Sequence, residues 1–148
     1  MLINIDPILS PQLLSTLRSM GHGDTLVLAD ANFPSSSLAK KLVRLDGIDI
    51  PKAAKAILSV FPLDSFVDCP VKRMEIDNKP EEINDVHIDF INALKETSGE
   101  KWKIGTTERL QFYKEAKEAY AIVSTTDARA YGCFILTKGV IKPDGSVW

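Results

Sequence analysis

Two glycines flank a histidine in the segment Gly21-His22-Gly23-Asp24, which is the part of the sequence best suited to proton transfer. An imidazole side chain can take or give a proton near neutral pH. The glycines allow a sharp turn and leave room for a ligand beside the ring. From these four residues alone, a helix–strand joint whose histidine only caps or packs is an equally good interpretation.

The apolar run Thr25–Ala29 predicts a buried strand after this turn, and Asp30 stands at its carboxyl end. In α/β sheets, ligands bind in the crevice beyond the carboxyl ends of the strands. We therefore expect the His22 imidazole and the Asp30 carboxylate to converge on one crevice.

Other candidate side chains have weaker patterns. Arg109 and Tyr113 lie four residues apart on a predicted helix face, where a guanidinium and a phenol can act together on sugar hydroxyls or simply pack. Tyr131-Gly132-Cys133 precedes the last predicted strand, and Cys133 is expected to be a small packed hydrophobic residue. His87 borders an apolar helix stripe, which favours a half-buried structural role.

Strong motifs for phosphate, nucleophile or metal chemistry are absent. The sequence contains no GxxxxGK[ST], GxSxG, CxxC or HExxH pattern. His22 and His87 are its only histidines, so we expect neither a metal site nor a cofactor. A cofactor-independent reaction or simple binding is what these residues favour.

Helices and short apolar strands alternate along the chain, which predicts an α/β domain with helices on both faces of the sheet. Ser10-Pro11 begins the first predicted helix, and Pro51 begins one that ends before Pro62. The other predicted helices cover 38–42, 80–97 with Ile83 on the buried face, and a segment from a Thr107 cap to Lys117. The other predicted strands are 43–45, 71–76, 102–104, 121–123 and 134–136.

Composition excludes several classes of protein. The 148 residues are 45% hydrophobic, which fits one globular domain over residues 1–148. The net charge of -2 comes with no basic stripe, which argues against nucleic-acid binding. The apolar runs are shorter than the ~20 residues of a membrane span, and the acidic N-terminus does not predict a signal peptide. Two cysteines, Cys69 and Cys133, fit a reduced cytoplasmic protein.

Three ordered blocks resemble the L-fucose mutarotase and D-ribose pyranase family. They are MGHGDTLVLADANFP, RLDGIDI, and ERLQFYKEAKEAYAIVSTTDARAYGCFILTKGV, and together they extend from residue 20 to residue 140. ERLQFY resembles the ERFxFY block of the fucose branch. The resemblance implies a three-layer α/β/α domain around a mainly parallel sheet. It also implies ring-shaped homo-oligomers, commonly decamers, with active sites where subunits meet.

The implied reaction interconverts the α and β anomers of the monosaccharide L-fucose without a cofactor. By resemblance, His22 is the catalytic acid/base, and the residues named at the end of this paragraph bind the sugar. D-ribose pyranase activity and a non-catalytic sugar-binding or transport-associated role are the alternatives. The implied sugar-binding residues are Asp30, Arg109, Tyr131, Gly132 and Cys133, with Arg18 a weaker candidate.

One position departs from the family pattern. The family usually has Tyr-Gly-Asn or Tyr-Ala-Asn where this chain has Tyr131-Gly132-Cys133. An asparagine amide offers donors and an acceptor to sugar hydroxyls, whereas a thiol offers little of either. We expect the Tyr120 hydroxyl, which stands where the fucose branch often has phenylalanine, to compensate.

Overall fold

A computed structural model describes residues 1–148 and contains six strands and five helices. The helices are α1 (Pro11–Ser19), α2 (Ser35–Leu38), α3 (Ile50–Leu58), α4 (Asp85–Ser98) and α5 (Arg109–Glu118). The strands are β1 (Thr25–Ala29), β2 (Leu42–Leu45), β3 (Val71–Met74), β4 (Ile104–Thr107), β5 (Ala121–Thr125) and β6 (Phe134–Thr137). None of the helices is both long and apolar enough to cross a membrane.

All six strands form one sheet in the order β2-β5-β1-β6-β3-β4. The pairs β1–β5, β2–β5 and β3–β4 are parallel, whereas β6 is antiparallel to both of its neighbours, β1 and β3. Only β6 therefore runs against the others, and the prediction of a mainly parallel sheet is confirmed. The carboxyl ends of the five parallel strands and the amino end of β6 lie at the same edge of the sheet.

The side chains of β1 alternate between two helical layers. Leu26 and Leu28 belong to the larger core, with residues of α1, α3 and α4. Val27 and Ala29 belong to the smaller core on the opposite face, with Phe112 of α5. Because successive side chains of a strand point to opposite faces, this alternation places the sheet between two helical layers. The expected three-layer α/β/α arrangement is thus present.

Local sequence signals explain the starts of two helices. The Ser10 side chain accepts a hydrogen bond from the Leu13 amide at 3.2 Å, and Pro11 occupies the first turn of α1. The Asp49 carboxylate caps α3 by accepting from the Lys52 amide at 3.0 Å. Capping supplies partners for amides that have none inside the helix.

The longest helix starts later than the sequence predicts. Pro80 and Glu81 lie in a turn, residues 82–83 are irregular, and α4 begins only after Asn84, whose side chain accepts from the His87 amide at 3.2 Å. Ile83, predicted to be buried, is 50% exposed. Pro80 and the acidic residues after it suit a first helical turn, but Asn84 is the stronger cap and sets the true start.

Two further boundaries are shifted. Thr107 is the last residue of β4, so it does not cap α5; the Glu108 carboxylate does so by accepting from the Leu110 and Gln111 amides. The predicted strand at 102–104 lies at 104–107, paired with β3. The helical turn predicted at 38–42 is α2 at Ser35–Leu38, since Leu42 already belongs to β2.

Candidate functional site

His22 lies in the turn between α1 and β1, and a buried carboxylate holds its ring. Its Nε2 is 3.2 Å from Oδ1 of Asp64; the His22 side chain is 49% exposed and that of Asp64 only 3%. The same Asp64 oxygen accepts the Phe66 amide at 3.0 Å. A carboxylate only accepts hydrogen bonds, so Nε2 carries the proton and Nδ1 is left as the acceptor. An oriented, half-exposed imidazole of this kind can exchange protons with a ligand.

The turn that presents His22 is held by hydrogen bonds from the backbone amides of its two glycines. The Gly21 amide donates to the Asp24 carboxylate at 2.7 Å, and the Gly23 amide donates to the carbonyl oxygen of Lys138 at 2.9 Å. Gly23 has a φ of +83°, a conformation that glycine adopts without strain. The prediction that glycine allows a sharp turn beside His22 is therefore confirmed at position 23.

A largely apolar cavity of about 540 Å³ opens beside His22, with Arg18 at its edge. Lys138 also lines it, and its ammonium group donates to the Leu17 and Met20 carbonyl oxygens at the end of α1, each at 2.6 Å. Burial lowers the pKa of Lys138, and the nearby positive charge of Arg18 lowers it further. Arg18 and His22 therefore line the same cavity.

Asp30 lies at the other end of β1, buried and surrounded by donors. Its Oδ1 accepts the Asn32 and Phe33 amides at 2.9 and 3.1 Å. Its Oδ2 accepts the Gly132 amide at 3.0 Å and the Cys133 thiol at 3.4 Å. A carboxylate has about four lone-pair positions, so the chain's own donors already occupy them. Asp30 thus ties the end of β1 to the segment before β6.

That segment has an unusual backbone conformation. Tyr131 has a φ of +63°, which is uncommon for a bulky residue. Its hydroxyl donates to the Asp77 carboxylate at 2.5 Å, and this hydrogen bond raises the pKa of the Tyr131 phenol. A Cβ at Gly132 would lie 3.2–3.3 Å from Val86, Arg129 and Asp30 atoms, so these neighbours would have to shift slightly to admit a side chain there.

Cys133 is packed inside the protein, as predicted. It is 2% exposed, and burial raises the pKa of its thiol well above the usual value, with the negative charge of Asp30 adding to the effect. A thiol that resists ionisation is a poor nucleophile. Its role is to pack and to donate to Asp30.

Arg109 completes the group of residues near Asp30. It is the first residue of α5, separated from the carboxyl end of β4 only by the cap Glu108, and its guanidinium lies 5.6 Å from the centre of the Tyr113 ring. Arg109, Asp30, Tyr131 and Cys133 all line a cavity of about 220 Å³. The structure therefore brings together the predicted sugar-binding residues that follow β1, β4 and the turn before β6.

The expectation that His22 and Asp30 share one crevice is wrong for a single chain. His22 precedes β1 and Asp30 follows it, and the five residues of β1 alone extend about 16 Å. Tyr120 is also at the His22 end, because its amide donates to the Thr25 carbonyl oxygen at 2.9 Å. Its hydroxyl therefore cannot compensate for Cys133 within the same chain. The candidate residues form two groups, here called the His22 end and the Asp30 end.

Three residues of these two groups were not predicted as site residues: Asp64, Asp77 and His87. Asp64 and Asp77 lie in loops with no recognisable motif, and only the fold brings them to His22 and Tyr131. The sequence predicts a half-buried structural role for His87, but the residue is fully buried, because α4 turns it toward β6. Its contact with the Tyr131 carbonyl oxygen depends on tertiary structure.

The fold and the two ends define an α/β protein with an oriented, half-exposed histidine and a separate cluster of polar side chains around Asp30. Residues 3–141 match the model of the RbsD / FucU transport protein family. The chain is 42% identical to an L-fucose mutarotase of Haemophilus influenzae over 140 residues, which is 95% of this chain and 97% of the relative. The chain therefore belongs to the RbsD / FucU family.

Solved structures agree with this assignment. The structure of the fucose mutarotase of Streptococcus pneumoniae in complex with L-fucose matches this chain with a TM-score of 0.88 and 40% sequence identity. The match covers 95% of this chain and 100% of the other. Bacillus subtilis RbsD complexed with D-ribose gives a TM-score of 0.71 at 21% identity, covering 90% and 95%. The ribose-bound protein therefore shares the fold alone, and the fucose-bound protein is similar to this chain in both fold and sequence.

Proposed function

We propose that this protein is an isomerase that interconverts the α and β anomers of L-fucose. The observation that carries the proposal is His22, oriented by a buried Asp64 and half-exposed beside a cavity, in a chain 42% identical to an L-fucose mutarotase. Residues 1–148 form the mutarotase domain, and a monosaccharide is its substrate.

Anomer exchange requires two proton transfers. One group takes the proton from the anomeric hydroxyl and another protonates the ring oxygen, so that the ring opens to the aldehyde, which rotates and recloses on its other face. Nδ1 of His22 is the free acceptor, because Nε2 donates to Asp64. The Asp64 carboxylate then stabilises the imidazolium that forms. No cofactor takes part in these steps.

The sugar is bound by the Asp30 end of the same protein. Arg109 offers a planar, exposed guanidinium to sugar hydroxyls, and Tyr131 presents a phenol beside it. Gly132 and Cys133 close the cavity behind them, and Asp30 holds both in place. At the His22 end, Arg18 is an additional sugar contact and Tyr120 contributes its hydroxyl.

The two ends meet between two copies of the chain. Since β1 separates His22 from Asp30 within one chain, a complete site needs the His22 end of one copy and the Asp30 end of another. Two exposed apolar side chains next to His22 support such a contact. Phe66 is 59% exposed and its ring centre lies 5.4 Å from that of His22, and Trp148 is 54% exposed and its ring centre lies 6.0 Å from that of Phe66. We therefore propose a homo-oligomeric ring, with the decamer of the family as the expected size.

Light scattering tests the assembly. The expected mass is several times the 16.4 kDa of one chain. A fully active monomer would contradict a site shared between copies.

The free thiols of Cys69 and Cys133 fit a reducing compartment, so we place the protein in the cytoplasm.

Magnetisation-exchange NMR tests the reaction directly. Samples of L-fucose and of D-ribose are measured with and without the protein, and exchange between the anomeric proton signals is followed. The proposal predicts faster exchange for L-fucose and a much smaller effect on D-ribose. A larger effect on D-ribose would identify a ribose pyranase, and binding without acceleration would identify a sugar-binding protein.

A further inference from the structure

His87 is a fully buried histidine that contacts the sugar-binding segment from behind. It lies on α4, with its ring edge-on to Phe134 of β6 at a centroid distance of 5.8 Å. Its Nε2 is 2.9 Å from the carbonyl oxygen of Tyr131. A carbonyl oxygen only accepts, so Nε2 carries the proton and Nδ1 does not.

Packing alone does not explain an imidazole at this position. Nδ1 of His87 is buried and has no hydrogen-bond partner. A leucine would fill similar space without leaving a polar atom unpaired, which is unfavourable in a protein interior. The feature that only a donor can supply is the hydrogen bond to Tyr131.

Tyr131 needs to be held, because its backbone is in the left-handed region at a φ of +63°. Such conformations persist in bulky residues only when surrounding contacts determine them. The carbonyl oxygen of Tyr131 accepts from His87 and from the Cys133 amide at 2.8 Å. The next amide, that of Gly132, donates to Asp30. Asp30 and Cys133 adjoin strands of the sheet, whereas His87 contacts Tyr131 from the helical layer, on α4.

We propose that His87 is a positioning residue for sugar binding: its Nε2–H holds the Tyr131 carbonyl oxygen and thereby places the phenol and the Gly132 and Cys133 backbone at the cavity. This inference rests on the proposed function of that cavity as the sugar site. His87 does not line the cavity, so it acts through Tyr131.

The test compares two substitutions that differ in the donor. His87→Leu removes the donor and keeps an apolar side chain, whereas the amide of His87→Gln extends far enough to replace Nε2–H. For each, the rate of L-fucose anomer exchange is measured against sugar concentration, and the melting temperature is recorded on the same sample. We expect His87→Leu to raise KM about tenfold with kcat changed less than about twofold, and His87→Gln to restore KM.

A merely structural role predicts a different pattern. His87→Leu would then lower the melting temperature and leave KM of the folded protein unchanged, and that result overturns the proposal. If His87→Leu does not fold, His87→Asn replaces it, because its shorter amide falls short of the Tyr131 carbonyl oxygen. Equal KM values for the Asn and Gln variants also overturn the proposal. Absence of L-fucose exchange in the unsubstituted protein would instead overturn the proposed function itself, and with it this inference.

Discussion

At the scale of single residues, His22 has the most direct link to the chemistry. Its ring is held by Asp64 through Nε2, and Nδ1 is free for proton transfer. Removing the imidazole leaves the residues proposed to bind the sugar, at the Asp30 end, untouched. The loss should therefore fall on the rate of the proton transfers and hardly on sugar affinity.

We expect His22→Ala to lower the rate of L-fucose anomer exchange by roughly the 10²–10⁴-fold that is typical of general acid–base catalysis. Magnetisation-exchange NMR gives the rate, and a sugar titration gives the affinity. Arg44→Ala is the matched control, because this exposed arginine pairs only with exposed Asp46. Exchange by His22→Ala at nearly the unsubstituted rate would remove His22 from the mechanism.

Substitutions of Cys133 test how this chain accommodates a thiol where the family usually has asparagine. Its thiol donates to Asp30, and an asparagine amide can make the same hydrogen bond while its oxygen faces the cavity. We expect Cys133→Asn to leave the melting temperature nearly unchanged and to tighten L-fucose binding by at most about tenfold. Cys133→Ala, which removes the donor, is the control. A sharp loss of stability in Cys133→Asn without tighter binding would show that this position serves only the core.

His87 makes the stability of the fold sensitive to acid. Burial lowers the pKa of His87 below the ordinary 6.5, although its hydrogen bond to Tyr131 opposes part of this effect. Below pH 6.5 the unfolded chain therefore binds a proton that the folded protein does not, so the free energy of unfolding decreases as the pH falls. The decrease is at most about 1.4 kcal/mol per pH unit.

Urea unfolding between pH 5.5 and 7.5 measures this dependence. We expect His87→Gln, which cannot take up a proton, to have a flatter profile than the unsubstituted protein. The two profiles should differ most at the acidic end of the range. Identical slopes would mean that His87 is protonated equally in the folded and unfolded states.

At the scale of secondary structure, the start of α4 is set by Asn84. Its side chain accepts the His87 amide and donates to the Ala130 carbonyl oxygen at 2.9 Å, which links α4 to the segment before β6. Pro80, where the sequence predicts the start, lies in a turn outside the helix. The two positions therefore give a matched pair of substitutions.

We expect Asn84→Ala to lower the free energy of unfolding by about 1 kcal/mol, the usual effect of losing an N-cap. Pro80→Ala should have a smaller effect, because the ring of this exposed proline caps nothing. Urea denaturation of both variants measures the difference. A larger loss from Pro80→Ala than from Asn84→Ala would place the helix start where the sequence predicts it.

The sequence predicts the elements whose signals are local. Ser10-Pro11 marks the start of α1, and the apolar run of β1 identifies a strand covered on both faces. The start of α4 was misplaced because two competing start signals lie four residues apart. The position of β4 depends on its pairing with β3, which no local pattern encodes.

The candidate site, too, could be predicted from the sequence only in part. Most of its residues could be identified from the sequence and from the resemblance to a family. Their separation into two ends could not, because it follows from the direction of β1 within the sheet. Asp64 and Asp77 are brought to His22 and Tyr131 by the fold, from segments distant in sequence.

At the scale of the whole molecule, the distance between the two ends is the feature on which the proposed shared site depends. Every chain contains both His22 and Arg109, but the two residues lie at opposite ends of the strands: His22 precedes β1, and Arg109 follows β4. The proposed function needs both residues in one site, and we therefore expect one of them to come from each of two neighbouring copies. A variant lacking His22 and a variant lacking Arg109 then have complementary defects.

Complementation between these variants is the most direct test of a shared site. His22→Ala and Arg109→Ala are co-expressed so that their chains mix, and L-fucose exchange is measured at a low sugar concentration. Random mixing should restore about a quarter of the unsubstituted rate, because that fraction of sites receives both residues. If the mixture is no more active than the two variants measured separately, His22 and Arg109 act within one chain and the shared site is wrong.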